Sequence, residues 1–260
     1  MEQVLCVLVS FFASVVGCIC GIGGGVIIKP VLDAMGTYSI GTIRFMSGGI
    51  VLAMTACSVL KNTLARDCDI EKGVSTWLGL GAALGGAAGK QGFDLLGGGK
   101  LVGAVQAAML FAVTLAAAVY TLERSKLKPR RVQSPLGCAV IGLCLGILSA
   151  FLGIGGGPIN LVVLHHFFAM ETKRAAQNSL YVILLSQLAS LLLTIATGSV
   201  PEFPPVLFTC MVGGGVLGSM TGRAVNRRIA DRTVDRLFLG LLAVLMGICA
   251  YNFLRFSGGL

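Results

Sequence analysis

Gly21-Ile22-Gly23-Gly24-Gly25 near the start of the chain and Gly153-Ile154-Gly155-Gly156-Gly157 just past its middle restrict the possible folds more than any other feature. Each copy puts four glycines in five positions inside a long apolar run, and glycine costs about 1 kcal/mol per residue in a helix interior. Continuous helix is therefore not expected there, and each copy reads as a break. Proline suits the first position of a helix, and Pro158 follows the second copy. New helices are expected over Val26 to Met35 and over Pro158 to Ala169. Backbone N–H groups at such a break, aimed along the positive end of the next helix, form an anion site that glycine lets a ligand approach closely. The competing reading is that the glycines only allow tight helix packing in lipid. Duplication in register favours the site.

The runs around the breaks identify the solvent. Gln3 to Ile28, Leu101 to Leu122, Val132 to Met170, Ala175 to Pro201, Phe203 to Gly222 and Leu237 to Leu254 carry no formal charge, and most reach the roughly 20 residues that cross a bilayer. Only 12% of the 260 residues are charged, against about 25% in soluble proteins, and mean hydropathy is +0.89. An all-α polytopic membrane protein is expected, with the lipid bilayer as its partner. Glu2 precedes the first apolar stretch, which runs into the glycine break without an Ala-x-Ala type site, so no cleaved signal peptide is expected. The net charge of +9 sits in short loops between spans, where it sets orientation, so a nucleic-acid partner is not expected. The nine cysteines (6, 18, 20, 57, 68, 138, 144, 210 and 249) lack paired C-x-x-C spacing and read as small packing residues.

An internal repeat fixes the architecture. A shift of 132 superposes the two glycine motifs, and a shift of 133 superposes Gly81-x3-Gly85-x3-Gly89-Lys90 on Gly214-x3-Gly218-x3-Gly222-Arg223. Two repeats are expected, 1–122 and 135–260, joined by a cytoplasmic linker over 123–134. Val132 to Met170 as one helix is roughly 58 Å long against a hydrocarbon core of about 30 Å, so it reads as a hairpin broken at the glycines. Each repeat then holds a hairpin (4–36 or 135–169) and three spans: 39–60, 73–89 and 101–122 in the first, 175–197, 203–222 and 237–254 in the second. Three crossings invert the second repeat relative to the first.

Loop charges test that arrangement. If each glycine segment crossed once, Lys and Arg would divide nine and nine, setting aside Lys29 and Arg44. With hairpins, one side holds Lys61, Arg66, Lys72, Arg124, Lys126, Lys128, Arg130, Arg131, Lys173, Arg174, Arg223, Arg227, Arg228, Arg232 and Arg236, and the other only Lys90, Lys100 and Arg255. Fifteen against three selects hairpins, with both termini outside the cytoplasm. Irregular backbone at membrane depth must be buried or line a cavity, so the tips are expected to meet near the midplane.

Around the tips, Gly23, Gly24, Gly25, Gly155, Gly156 and Gly157 supply the backbone cradle, and few side chains could act on a ligand. Lys29 lies just inside the helix after the first break, and Arg44 about a turn into the next span. Charges inside a bundle are functional candidates by default, with snorkelling to the interface as the alternative. Leu161 and Ala176 stand at the shifted positions, so any cationic contribution is one-sided. Asn160, Gln177, Asn178, Ser179 and Ser47 add amides and hydroxyls that donate to oxyanions without a fixed charge, or else make ordinary interhelical contacts. His165 and His166 close the second hairpin and are candidate proton carriers.

No H-E-x-x-H, G-x-S-x-G, Walker lysine or cofactor fingerprint occurs, so no enzyme, metal or cofactor is expected. The repeated G-I-G-G-G, Pro158, the Asn178-Ser179 that begins the next span and the G-x3-G-x3-G rows resemble the TauE/SafE family of sulfite exporters, also called TSUP, over essentially the whole chain. The resemblance implies transport of sulfite, organosulfonates or related small anions. The first repeat departs from the second at Val26 in place of Pro158 and Met46 in place of Asn178. The expected function is secondary transport, as an exporter, of a small sulfur-containing anion held between the two breaks. An anion channel and a membrane scaffold subunit are the alternatives, and a homo-oligomer is left open.

Overall fold

The computed structural model describes residues 2–64, 70–96, 99–126, 129–132 and 134–258. Arg66, Cys68, Gly98, Lys128 and Gln133 lie outside them. Within these residues ten α-helices follow one another: α1 (Glu2–Cys20), α2 (Gly25–Met35), α3 (Ile40–Leu64), α4 (Lys72–Leu95), α5 (Lys100–Glu123), α6 (Pro135–Leu152), α7 (Pro158–Phe168), α8 (Thr172–Ala196), α9 (Pro205–Arg228) and α10 (Asp231–Phe256). A short 3₁₀ turn, Arg124–Lys126, follows α5, and there is no strand among the described residues. Among the described residues seven helices are long and apolar enough to cross a membrane: α1, α3, α5, α6, α8, α9 and α10. The chain is a multi-pass membrane protein. The glycine row makes α4 less apolar than these, yet it is held between α6 and α8.

Both glycine segments interrupt helix. α1 stops at Cys20 and α6 at Leu152, and Gly21 (φ +72°) and Gly153 (φ +68°) turn the chain out in the left-handed region that only glycine enters freely. α2 and α7 begin after the breaks, the latter with Pro158 at its first turn. Lys90–Asp94, an i,i+4 ion pair with Nζ and Oδ2 2.6 Å apart, carries α4 past Gly89. α10 starts at Asp231, whose carboxylate suits a helix N-terminus.

The closest helix pairs join the two halves of the chain. A Cβ added at Gly81, Gly85 or Gly89 of α4 would fall 2.0, 2.2 or 2.4 Å from the carbonyl oxygens of Ala139, Leu143 and Ile147 on α6. On α9 the same row, Gly214, Gly218 and Gly222, would meet those of Val7, Phe11 and Val15 on α1 at 3.2, 2.3 and 2.3 Å. Ala139, Leu143 and Ile147 are Val7, Phe11 and Val15 shifted by 132, so the glycine rows make the same contact twice, each across the halves. Both pairs run parallel. α3 and α8, which occupy equivalent places in the two halves, run antiparallel: Gly48 lies against Gln187 and Leu191 near one end, while Asn62 and Ala176 line one cavity near the other.

Candidate functional site

The two breaks touch. A Cβ on Gly25 would sit 2.4 Å from the carbonyl oxygen of Ile154. Val51 of α3 and Ile183 of α8, again 132 apart, close over them: Ile183 Cδ1 and Val51 Cγ1 lie 3.5 and 3.7 Å from the Cβ position of Gly23, and Val51 Cγ1 lies 2.9 Å from that of Gly155. Gly156 (φ +151°) faces Ile183 at 2.4 Å. The Gly24 amide donates to the Met54 thioether at 3.2 Å. In this conformation the glycines let protein pack onto protein: Val51 and Ile183 lie over the tips, and the Gln187 amide nitrogen is the atom nearest the Cβ position of Gly155.

Room lies beside the second break. A cavity of about 90 Å³, several times the 10–15 Å³ or so that admits one water, ends on Gly153 and the α6 terminus. Arg44, Lys90, Asp94, Gln187, Ser190 and Thr194 are among its lining residues. The stems of Arg44 and Lys29 flank Gly153, with Arg44 Cγ 2.8 Å and Lys29 Cε 3.2 Å from its Cβ position. The stems of these two first-half cations therefore stand against the break of the second. Arg44 donates from Nε to the Ala150 carbonyl (3.2 Å), lies over the Phe93 ring (4.3 Å from guanidinium carbon to centroid) and reaches Asp94 at 3.7 Å. Its Nη2 is buried and has no hydrogen-bond partner. A buried donor left unpaired costs about 1–3 kcal/mol, more when charged, and an incoming anion would satisfy it. Asp94, 41% exposed, is shared between Lys90 and Arg44.

The other residues singled out in the sequence divide into two groups. Ser47, Ser179 and Asn160 are buried, and the two hydroxyls and the Asn160 carbonyl oxygen have no partner. Asn160 reaches the second tip, its Nδ2 3.5 Å from the Cβ position of Gly156. Gln177 and Asn178 lie apart from them. Asn178 Oδ1 accepts from the Glu71 amide (3.0 Å) and the Ser75 hydroxyl, and its Nδ2 donates to the Arg174 carbonyl, which ties α8 to the start of α4. Gln177 lines a second, smaller cavity. Lys29 is not an isolated cation: its Nζ is 2.7 Å from Asp33 Oδ2, and both are buried. His165 pairs through Nδ1 with the Tyr120 hydroxyl at 3.0 Å, and His166 Nδ1 is buried without a partner.

Sequence reasoning passed over Gln187, Lys90, Asp94 and Asp33. Gln187 is the one amide in the apolar body of α8, beyond its first two turns, which was a usable signal. Lys90 and Asp94 looked like the end of a span and the loop beyond it. Asp33 sits four residues after Lys29, the spacing at which opposite charges pair on a helix.

Over residues 6–248 the chain matches the family described as Sulfite exporter TauE/SafE. It is 23% identical to the probable membrane transporter protein YunE of Bacillus subtilis, over 95% of this chain and 96% of that one. The probable membrane transporter protein MamO of Magnetospirillum gryphiswaldense is 25% identical over 44% of this chain and 19% of its own length. No solved structure matches. A family match of that extent, on a helical multi-pass bundle with two touching glycine breaks, places this membrane transporter in the TauE/SafE family.

Proposed function

We propose that the protein is a secondary transporter that exports a small sulfur-containing anion, such as sulfite or an organosulfonate, bound where the two glycine breaks meet. The observation that carries this reading is the cavity ending on Gly153 and lined by Arg44, whose Nη2 is buried without a hydrogen-bond partner. Gln187 and Ser190 supply hydrogen-bonding side chains in the same wall. Two helix N-termini, each worth about half a positive charge, begin beyond the tips. Val51 and Ile183 pack over both breaks, so on this reading the anion moves only when that contact opens. A saturable carrier is the expected behaviour.

The architecture supporting this is a pair of inverted repeats, the form in which many secondary transporters hold a midplane site between broken helices. Antiparallel α3 and α8 and the exchanged glycine-row contacts agree with it. The fifteen-to-three loop count favours a cytoplasmic linker with both termini outside. With the inside negative, each negative charge leaving gains about 2.3 kcal/mol per 100 mV, so export requires no coupling ion.

Proteoliposomes loaded with sulfite are the test. Efflux should saturate, show counterflow with external sulfite and fall on Arg44→Gln. Linear flux without counterflow would make the protein a channel, and no sulfite flux of any kind would reject the reading.

A further inference from the structure

The smaller cavity, about 30 Å³ and reached from the linker side, lies between α1, α3, α8 and α9. Its wall is the wall of the larger cavity rebuilt from the other repeat. Ser58 and Asn62 stand where Ser190 and Thr194 stand after a shift of 132, and Arg223 and Arg227 where Lys90 and Asp94 stand after a shift of 133. Cys18 at the end of α1 answers to Ala150 at the end of α6 in the same way. Two cavities related residue by residue, one towards each end of the antiparallel α3 and α8, are placed as the two ends of one route would be.

The charges do not follow the repeat. Two cations and one carboxylate line the larger cavity, whereas Lys173, Arg223 and Arg227 line the smaller with no acid among its described lining residues. The Arg223 guanidinium is held inside, with Nε and Nη2 buried and without a hydrogen-bond partner. The nearest acid on Lys173 is Asp231, 3.9 Å away and outside the wall. At the equivalent of Arg227 the larger cavity has Asp94, a carboxylate already on Lys90 and close to Arg44.

We propose that the linker-side cavity is a second anion-binding site, centred on Arg223, that captures small oxyanions before the breaks open, and that Asp94 weakens binding in the repeat-related cavity opposite, where the anion is released. The proposal rests on the transport reading above and adds a place of entry to it. Like-signed walls concentrate an oppositely charged ligand, by roughly 10–1,000-fold in on-rate; a competing carboxylate at the far end lowers occupancy there.

The test uses purified full-length protein in nanodiscs, where both faces are reachable, with native cysteines replaced and a single cysteine at Ser58 or at Ser190. The probes are a small anionic thiol reagent, sulfonatoethyl methanethiosulfonate, and its trimethylammonium counterpart. At Ser58→Cys the anionic reagent should react faster by roughly tenfold or more. Arg223→Gln should bring that ratio towards unity and leave the Ser190→Cys ratio unchanged, while Arg223→Lys should keep it. Asp94→Asn should raise the anionic preference at Ser190→Cys alone. Equal rates at Ser58→Cys, no reaction with either reagent, or a ratio indifferent to Arg223→Gln would each overturn the site. Methanesulfonate added as competitor separates the two claims. If it fails to slow labelling while the charge preference stands, the sulfur-anion reading falls and the linker-side anion site stands.

Discussion

Replacing Lys29 by Gln should act on stability before it acts on any ligand. Lys29 and Asp33 are 4% and 6% exposed, with Nζ and Oδ2 2.7 Å apart. Around them the Asn252 amide donates to the Pro30 carbonyl, and Arg255 donates to the carbonyls of Asp33 and Ala34 at 2.9 and 2.6 Å, so α10 grips this end of α2. Neither donates to the carboxylate, whose Oδ1 has no partner. With Lys29 neutral, Asp33 keeps a buried charge and no counter-ion, a change that costs about 3–5 kcal/mol. At about 2–4 °C per kcal/mol for a chain of this size, the thermal midpoint in detergent should fall by roughly 6–20 °C. Asp33→Asn alone should cost a comparable amount, because it strands the ammonium. The double variant Lys29→Gln, Asp33→Asn should recover most of the loss, since a neutral amide pair removes both buried charges. The cycle is read from four midpoints without ligand, then from sulfite binding in each. If Lys29→Gln leaves the midpoint unchanged but abolishes sulfite binding, and the second substitution restores nothing, then Lys29 serves the anion and the ion-pair argument is wrong.

Arg44→Gln should weaken sulfite binding by about 1.5–3 kcal/mol, the worth of a hydrogen bond to a charged group, measured by titration calorimetry, with Arg44→Lys intermediate. Gly85→Leu should prevent correct assembly, because even its Cβ would lie 2.2 Å from the Leu143 carbonyl oxygen, whereas Gly92→Leu, with nothing within 4 Å, should elute normally on size exclusion. Gly156→Val should abolish sulfite flux, because its φ of +151° and Ile183 at 2.4 Å leave no place for a side chain; normal flux would show that the break tolerates rebuilding. Single cysteines at Gly98 and Ser257 should label from outside cells with an impermeant maleimide and one at Gln133 should not; the reverse pattern would invert the assigned orientation.

The breaks, the repeat offsets and the helical class were legible because each is a local property of the string. Four glycines in five positions and rows at every fourth residue show themselves without a fold. Which helix each row meets was not legible, since a row of glycines specifies a close approach and says nothing of the partner. That α4 takes α6 and α9 takes α1 needed coordinates. Side-chain direction was equally hidden. Asn178 and Ser179 are neighbours in sequence, yet Asn178 is spent on the start of α4 and the Ser179 hydroxyl is left unpaired. Arg44 could be named from its depth in a span. Its setting between Phe93, Ala150 and Asp94 depended on α4 continuing beyond Gly89 and on α6 arriving from the other half.

The exchanged helix pairing has a consequence for how the chain is made. As the first half leaves the ribosome, α1 and α4 enter the membrane with their close-contact faces bare, because α9 and α6 have yet to be synthesised. α4 is covered once residues 135–152 arrive, but α1 waits until 205–228. A chain released after residue 134 would keep both faces open to lipid, where small residues attract any helix able to approach closely. Both close pairs therefore require the second half, and supplying 135–260 as a separate polypeptide in the same membrane should rescue such a fragment.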